Sequence, residues 1–137
     1  MREVIGMEFS TILIVDDNAE ILKLLEIELF SHGYSVVHAK NGQEAIKKAE
    51  DILPDLILMD LVMPDMDGGQ VIKKLKSSTK TKQIPIILLT AMLTRDEEKR
   101  GQGSILVDDK YYPMMAKPYN AQDLLEHINK LIHLPHV

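Results

Sequence analysis

The sequence predicts a parallel α/β sheet with helices covering both faces. Three observations support this fold class. Short apolar runs rich in β-branched residues recur along the chain, which is typical of strands buried on both faces. Stretches with helical spacing of apolar residues separate these runs. The 137 residues, 45% of them apolar and 27% charged, suit one globular domain. Strands that alternate with helices in this way favour a parallel sheet with right-handed crossovers.

The first half of the chain predicts three strands, each followed by a helix. The predicted strands are residues 11–15, 35–38 and 56–59. The predicted helices are residues 18–31, 43–51 and 68–76. Gly33 suits the position just beyond the end of the first helix. Pro54 separates the second helix from the third strand.

The second half is less regular. Pro85 introduces a fourth strand at residues 86–89. The charged residues 94–100 predict a short helix, which Gly101 and Gly103 would end because glycine disfavours the helical state.

The last strand and the last helix follow this irregular region. Residues 111–116 predict a strand, placed at a sheet edge because Pro113 has no N–H to donate. Asn120 is a suitable cap for the final helix, with Asp123 in its first turn. The apolar stripe of this helix consists of Leu124, Leu125, Ile128, Leu131 and Ile132.

Composition and charge exclude several classes of protein. Sixteen basic and 21 acidic residues give a net charge of −5, whereas nucleic-acid binders usually carry a basic balance. We therefore expect no direct nucleic-acid binding. The absence of cysteine excludes disulfides, thiol nucleophiles and cysteine zinc sites. The chain has no signal-peptide pattern and no apolar run that approaches a membrane span, so we expect a cytoplasmic protein without membrane contact.

Four predicted strands end in groups that can bind a metal ion or a phosphoryl group. These groups are Asp16 and Asp17, Asp60, Thr90 and Lys117. The carboxyl ends of parallel strands share one edge of the sheet, where folds of this class bind their ligands. We therefore expect these side chains, distant in the sequence, to converge in space.

This edge would combine three carboxylates, which repel one another unless a cation lies between them. Mg²⁺ prefers oxygen ligands and is usually held by one or two carboxylates together with a phosphate. Lys117 and Thr90 would add an ammonium and a hydroxyl, so the edge could engage the oxygens of a phosphoryl group. Asp60 is the best candidate nucleophile, because Asp16 and Asp17 are adjacent and better suited to the metal.

Four segments, in the same order along the chain, resemble the motifs of response-regulator receiver domains of two-component signalling. They are residues 12–18, 58–68, 88–91 and 117–118. The likeness covers about residues 9–133, which leaves terminal tails at 1–8 and 134–137 and no room for an output domain within this chain. It implies a doubly wound, flavodoxin-like three-layer sandwich with five helices and a five-stranded parallel sheet in the order 2-1-3-4-5.

The resemblance also implies a metal site and a covalent site. Asp60 matches the phosphoacceptor of the family, and Asp17 matches a direct Mg²⁺ ligand. Asp16 matches a partner that acts on Mg²⁺ largely through water. Val62 matches the residue that offers its backbone carbonyl to the metal.

The same resemblance assigns roles around the phosphoryl group. Thr90 matches a switch hydroxyl that moves toward the phosphoryl group, and Lys117 matches the lysine that pairs with it. The bond from Lys117 to Pro118 is cis in the family. A histidine kinase or a histidine phosphotransfer protein would donate the phosphoryl group, and a downstream protein, which the sequence does not name, would receive the signal.

Two features depart from the family pattern. Met114 occupies the position of the family's switch aromatic, and Tyr111 and Tyr112 are out of register with it. The segment from Thr90 to Lys117 is also longer than usual, so we expect the fourth helix to be short, shifted or mobile. These departures leave the mode of output open.

Two other functions are alternatives to that of a phosphorylated switch. A degenerate receiver would act as a constitutive interaction module, for which Met114 and the irregular fourth helix are the motivation. A Mg²⁺-dependent phosphatase would use an aspartyl intermediate. It would commonly need a second acid two residues after the nucleophile, where this chain has Val62.

Overall fold

A six-stranded sheet forms the centre of the fold in the computed structural model, which describes residues 3–4, 7–8, 10–93, 95–97, 100, 103–117 and 119–132. The strands are β1 (Glu3–Val4), β2 (Met7–Glu8), β3 (Thr11–Val15), β4 (Ser35–Ala39), β5 (Leu56–Asp60), β6 (Ile86–Thr90), β7 (Ser104–Val107) and β8 (Lys110–Ala116). The helices are α1 (Ala19–Ser31), α2 (Gly42–Ile52), α3 (Gly68–Lys76), α4 (Arg95–Glu97) and α5 (Ala121–Ile132).

The strand order in this sheet is β4-β3-β5-β6-β8-β7. The first five strands are mutually parallel. Numbered among themselves along the chain, these parallel strands have the order 2-1-3-4-5, so the predicted topology is confirmed. The crossovers place the carboxyl ends of all five strands at one edge, as parallel βαβ units require.

Alternate residues of the central strands pack into two separate cores. Leu13, Ile57 and Leu88 face one core, to which α2 and α3 contribute. The next residue of each of these strands faces the other core, to which α1 and α5 contribute. Because successive side chains of a strand point to opposite faces, fully apolar strands bury both faces at once. The result is the predicted three-layer sandwich.

Two local interactions define the ends of α1. Asn18 caps its start, with the side-chain oxygen accepting from the backbone N–H groups of Glu20 and Ile21. Gly33 follows its end with a φ of 90°, a conformation that glycine adopts without steric cost. The position of Gly33 was predicted from the sequence, whereas Asn18 was predicted as the first residue of the helix and not as its cap.

The region before Lys117 differs from the prediction. The sheet has six strands rather than five, because β7 adds an antiparallel strand beside β8. The prediction that residues 111–116 form an edge strand is therefore wrong. Pro113 is tolerated because the parallel ladder to β6 begins only at Met114, so β6 requires no N–H from the proline.

The helix predicted at residues 94–100 is described in part. Within the described residues, α4 has three residues and β7 begins soon afterwards. Residues 94, 98 and 99 of the predicted helix, and Gly101 after it, lie outside the described part, as does Pro118 with its implied cis bond.

The termini are described in part. β1 and β2 form a two-residue antiparallel ladder within the predicted N-terminal tail. Residues 133–137 lie outside the described part. None of the helices in the described residues is both long enough and apolar enough to cross a membrane.

Candidate acidic site at the carboxyl edge of the sheet

Adjacent strands of the sheet deliver the site residues to one edge. Asp16 follows β3, and its backbone N–H donates to the carbonyl of Ala39 at 3.1 Å. Asp60 is the last residue of β5 and lies beside Leu89 of β6 in the ladder. The Lys117 N–H donates to the Thr90 carbonyl at 2.9 Å, which places the lysine directly beyond β8. The ladder hydrogen bonds therefore fix where these side chains emerge.

Three carboxylates meet at this edge. Asp16, Asp17 and Asp60 each offer an oxygen, and the three oxygens lie within 4.8 Å of one another. The three residues differ in access to water: Asp16 is 2% exposed, Asp60 is half-buried and Asp17 is exposed. The structure therefore brings the predicted acids together and gives each a different environment.

Lys117 supplies a positive charge to two of these acids. Its Nζ lies 2.8 Å from Asp16 Oδ2 and 3.4 Å from Asp60 Oδ2. Burial alone would lower the pKa of Lys117, but the hydrogen bond and charge of Asp16, followed by the charge of Asp60, raise it above its ordinary value. The ammonium is therefore fully charged at neutral pH.

The pKa of Asp60 lies above its ordinary value. Burial is the main cause, and the nearby charge of Asp16 adds to it. The charge of Lys117 and the backbone N–H of Val62, which donates to Asp60 Oδ1 at 3.3 Å, act in the opposite direction without outweighing burial. Any further positive charge in this site would stabilise the ionised form of Asp60.

Asp16 is held at both of its oxygens. Oδ2 pairs with Lys117, and Oδ1 accepts from the backbone N–H of Asn18 at 2.9 Å. Asn18 also caps α1, so the acid is fixed to the start of that helix. The sequence marked Asn18 as the helix start but gave no signal for this second contact.

Thr90 follows Leu89, the residue beside Asp60 in the ladder, and the backbone N–H groups of Val62 and Met92 donate to Asp60 and Thr90 respectively. Thr90 is 2% exposed, and its Oγ1 accepts from the backbone N–H of Met92 at 3.0 Å. The side chains of Val62 and Met92 are exposed. Met114, at the position where the resemblance implies a switch aromatic, pairs with Leu88 and packs against the core beneath α2 and α3.

Asp65 stabilises the loop after β5, a role that the sequence did not indicate. Its carboxylate accepts from the backbone N–H groups of Gly42 and Gln43 at 2.9 and 3.0 Å. These two bonds lower the pKa of Asp65 below its ordinary value. The loop that begins beside Asp60 is thereby tied to the start of α2, which belongs to a different crossover.

The chemistry of the donors fits Mg²⁺. All three side chains offer carboxylate oxygen, the ligand type that a hard cation prefers. Among the described residues, the ammonium of Lys117 pairs with two of the three carboxylates, which leaves an excess of negative charge. The exposure of Asp17 keeps one side of the cluster open to water, and Mg²⁺ usually retains several waters.

Comparison with known proteins places the chain in a family. The family model for the response regulator receiver domain matches residues 12–129. The chain is 38% identical over 122 residues to the alkaline phosphatase synthesis transcriptional regulatory protein PhoP of Bacillus subtilis, covering 88% of this chain and 48% of that protein. It is 35% identical over 125 residues to histidine kinase P4 of Formosa agariphila, covering 91% of this chain and 9% of that protein.

Solved structures agree with this placement. Chemotaxis protein CheY4 of Vibrio cholerae superposes with a TM-score of 0.74 at 28% identity, over 90% of this chain and 98% of that one. The signal receiver domain of a histidine kinase from Syntrophus aciditrophicus gives a TM-score of 0.73 at 30% identity, over 93% and 96%. The chain belongs to the response regulator receiver domain family and is a receiver domain of two-component systems.

Family membership carries several general properties. Receiver domains are phosphoacceptors rather than conventional enzymes, they bind Mg²⁺ at an acidic pocket, and they pair with histidine kinases or phosphotransfer proteins. This chain spans about half the length of the Bacillus protein and about a tenth of the Formosa protein.

Proposed function

We propose that this receiver domain accepts a phosphoryl group on Asp60 and passes the signal on through protein contacts. The position of Asp60 is the observation that carries this proposal. Its carboxylate is half-buried at the sheet edge, 3.4 Å from the Lys117 ammonium, and shares a cluster with two further acids. A carboxylate in this position is accessible to a donor and has positive charge beside it to offset the incoming phosphoryl group.

In the proposed transfer, a carboxylate oxygen of Asp60 bonds to phosphorus while the bond from phosphorus to the donor histidine breaks. The histidine leaves as neutral imidazole if the phosphohistidine is protonated. Lys117 then pairs with a phosphoryl oxygen, and the Thr90 hydroxyl donates to another. Bound Mg²⁺, held by Asp16, Asp17, Asp60 and the Val62 carbonyl, would supply further neutralising charge.

Thr90 is the proposed link between phosphorylation and output. Its hydroxyl oxygen accepts from the Met92 N–H, so a movement of the hydroxyl toward the phosphoryl group alters this contact. The backbone beyond Met92 leads to α4 and β7, which therefore respond first. Because Met114 packs into the core, we propose that the signal leaves through this segment rather than through an aromatic side chain at that position.

The surface of α1 suits a protein donor. Leu24, Ile27 and Phe30 are exposed on this helix, which starts immediately after the acid pair. A group of exposed apolar side chains on a surface is typical of a docking surface. We propose that a histidine kinase or phosphotransfer protein docks here. Leu24→Lys should then slow transfer from a phosphorylated phosphotransfer domain without affecting phosphorylation by a small acyl phosphate.

The proposed function also includes the boundaries of the domain and the lifetime of its phosphorylated state. We take residues 9–133 as the receiver unit, with at most slow Mg²⁺-dependent self-phosphorylation and self-dephosphorylation. The family model, which matches residues 12–129, supports those boundaries.

Intact mass measurement tests the proposed phosphorylation. The protein is incubated with acetyl phosphate and Mg²⁺, and the mass of one phosphoryl group should be added. Asp60→Asn should abolish the adduct, whereas Asp51→Asn, at an exposed position on α2, should not. An equal adduct on Asp60→Asn, or no adduct on the wild type, would overturn the proposal. The second result would favour a constitutive interaction module.

A further inference from the structure

We propose that the free edge of β7 pairs with β7 of a second copy of this chain, so that two sheets join in an antiparallel dimer. The family resemblance did not predict β7. This strand pairs with β8 on the side away from β6 and is the last strand of the sheet. The proposal does not depend on phosphorylation of Asp60.

One side of β7 has no strand partner among the described residues. β7 lies last in the strand order and pairs only with β8. Ser104 and Leu106, two of its four residues, are exposed. The edge of a sheet presents unpaired N–H and C=O groups, which are a template for pairing with another strand.

The hairpin register identifies the groups that point outward. The Met114 N–H donates to the Gly103 carbonyl at 2.7 Å, so these two residues form a hydrogen-bonded pair. Hydrogen-bonded and non-bonded pairs alternate along an antiparallel ladder. Ile105 is therefore bonded to β8, whereas Ser104 and Leu106 direct their N–H and C=O groups toward the free side.

This edge lacks the features that usually block pairing. Strands at sheet edges are commonly protected by charged residues, by proline or by a bulge. β7 contains no charge and no proline. Leu106 is 51% exposed and lies opposite Tyr111, which is 67% exposed, so an apolar cross-strand pair lies beside the open edge.

The charges that flank β7 favour a second copy as the partner. Arg100 precedes the strand in the sequence, and Asp108 and Asp109 follow it. Antiparallel pairing of two identical strands places the start of each beside the end of the other. The basic flank of one copy then lies near the acidic flank of its partner, whereas a parallel arrangement would set like charges together.

A register follows from the requirement that paired residues lie on the same face. Ser104 of one copy would lie opposite Leu106 of the other, and Ile105 opposite Ile105. About four backbone hydrogen bonds would close between the outward groups. The exposed side chains of Leu106 and Tyr111 from both copies would then cover part of one face. Such a small contact predicts a weak dimer that forms at high concentration.

Sedimentation velocity over a wide concentration range, with metal-free and unphosphorylated protein, tests the dimer. The wild type should shift toward the dimer as concentration approaches the millimolar range. Leu106→Pro should remain monomeric, because it removes an outward N–H and no hairpin bond. Leu106→Val should dimerise, since it keeps the N–H and a strand-forming side chain. A wild type that stays monomeric, or a proline variant that dimerises equally, would overturn the proposal.

A charge exchange provides a second test that avoids proline. Arg100→Glu and Asp109→Arg should each weaken the dimer, and the double variant should restore it. No restoration would contradict the antiparallel register. Amide hydrogen exchange adds a site-specific reading: the Ser104 and Leu106 N–H groups should become protected with rising concentration, while the Ile105 N–H should be protected throughout. Equal protection of all three at low concentration would contradict an open edge.

Discussion

The Nζ of Lys117 lies 2.8 Å from Asp16 Oδ2, although 101 residues separate the two in the chain. Their side chains are 18% and 3% exposed, so both charges are largely withdrawn from water. Because an unpaired charge in such a place is costly, each residue depends on the other. The same ammonium reaches Asp60 at 3.4 Å, which makes the Lys117–Asp16 pair the electrostatic centre of the site.

Lys117→Met should lower the free energy of unfolding by about 2–4 kcal/mol in the absence of Mg²⁺. The substitution keeps an apolar stem but leaves the buried Asp16 carboxylate without its cation. Urea denaturation at neutral pH measures the loss. Lys47→Met, at an exposed position on α2, should change the stability by less than about 0.5 kcal/mol. Equal stabilities of the two variants would contradict the account of the ion pair.

Mg²⁺ should raise the stability of the wild type and have a smaller effect on Asp17→Asn. At about 100 times its dissociation constant, a ligand that binds only the folded state adds about 2.7 kcal/mol. Asp17 is exposed, so its substitution removes one negative charge from the site without disturbing the core. Thermal unfolding with and without Mg²⁺ gives the shift. Asp51→Asn is the matched control, and an Asp17→Asn shift as large as the wild type's would show that the charge of Asp17 does not contribute to Mg²⁺ binding.

Lys76 should make the stability depend on pH above neutrality. Its Nζ donates to the carbonyls of Lys82 and Ile84 and lies 5.5 Å from the Tyr112 ring centroid. Burial, together with the charge of Lys110, lowers its pKa from 10.5 to about 8. Between these values the unfolded chain binds more protons than the folded protein, so the free energy of unfolding rises with pH.

The Lys76 effect is isolated by comparing variants at about pH 7.5 and about pH 9.5. After allowance for solvent screening, the wild type should gain on the order of 1 kcal/mol relative to Lys76→Met over this interval. Lys47→Met should follow the wild type. Urea denaturation at the two pH values provides the measurement, and parallel curves for wild type and Lys76→Met would show that Lys76 does not titrate in this range.

Val62→Asn should speed the loss of the phosphoryl group several-fold. Val62 and Met92 are apolar and exposed beside Asp60 and Thr90, so neither can orient a hydrolytic water by hydrogen bonding. Asparagine adds that capacity, while Val62→Ala does not. Phosphoprotein decay, followed by intact mass after removal of the donor, should be accelerated in the asparagine variant only. Equal decay rates would show that this position does not control hydrolysis.

The sequence predicted the strands that carry the site because each is a short apolar run that ends in a polar residue. In a parallel sheet the carboxyl ends of the strands lie at the same edge, so Asp16, Asp60 and Lys117 had to share that edge regardless of the conformation of the loops. The contacts of Asp65 with the start of α2 were not predictable, because they depend on the path of a loop between two crossovers. The periodicity of apolar residues does not predict the path of a loop.

β7 was missed although Ile105, Leu106 and Val107 form a short apolar run of the kind that predicted the other strands. The hairpin to β8 turns at Asp108 and Asp109, and Asp108 has a φ of 57°. Aspartate tolerates this left-handed conformation, but the pair of acids lacks the glycine that usually marks a two-residue hairpin. Pro113 suggested that the strand at residues 111–116 lies at a sheet edge. The ladder between β6 and β8 begins only at Met114, so the missing N–H of Pro113 does not interrupt it.

Chemical trapping of the phosphorylated residue tests the central claim most directly. Protein treated with acetyl phosphate and Mg²⁺ is reduced with borohydride, which converts an aspartyl phosphate to a primary alcohol, and is then digested for peptide mass analysis. We expect the reduced side chain at Asp60, and we expect omission of Mg²⁺ to lower its yield greatly. Reduction at Asp16 or Asp17 instead, or at no aspartate in fully phosphorylated protein, would contradict it.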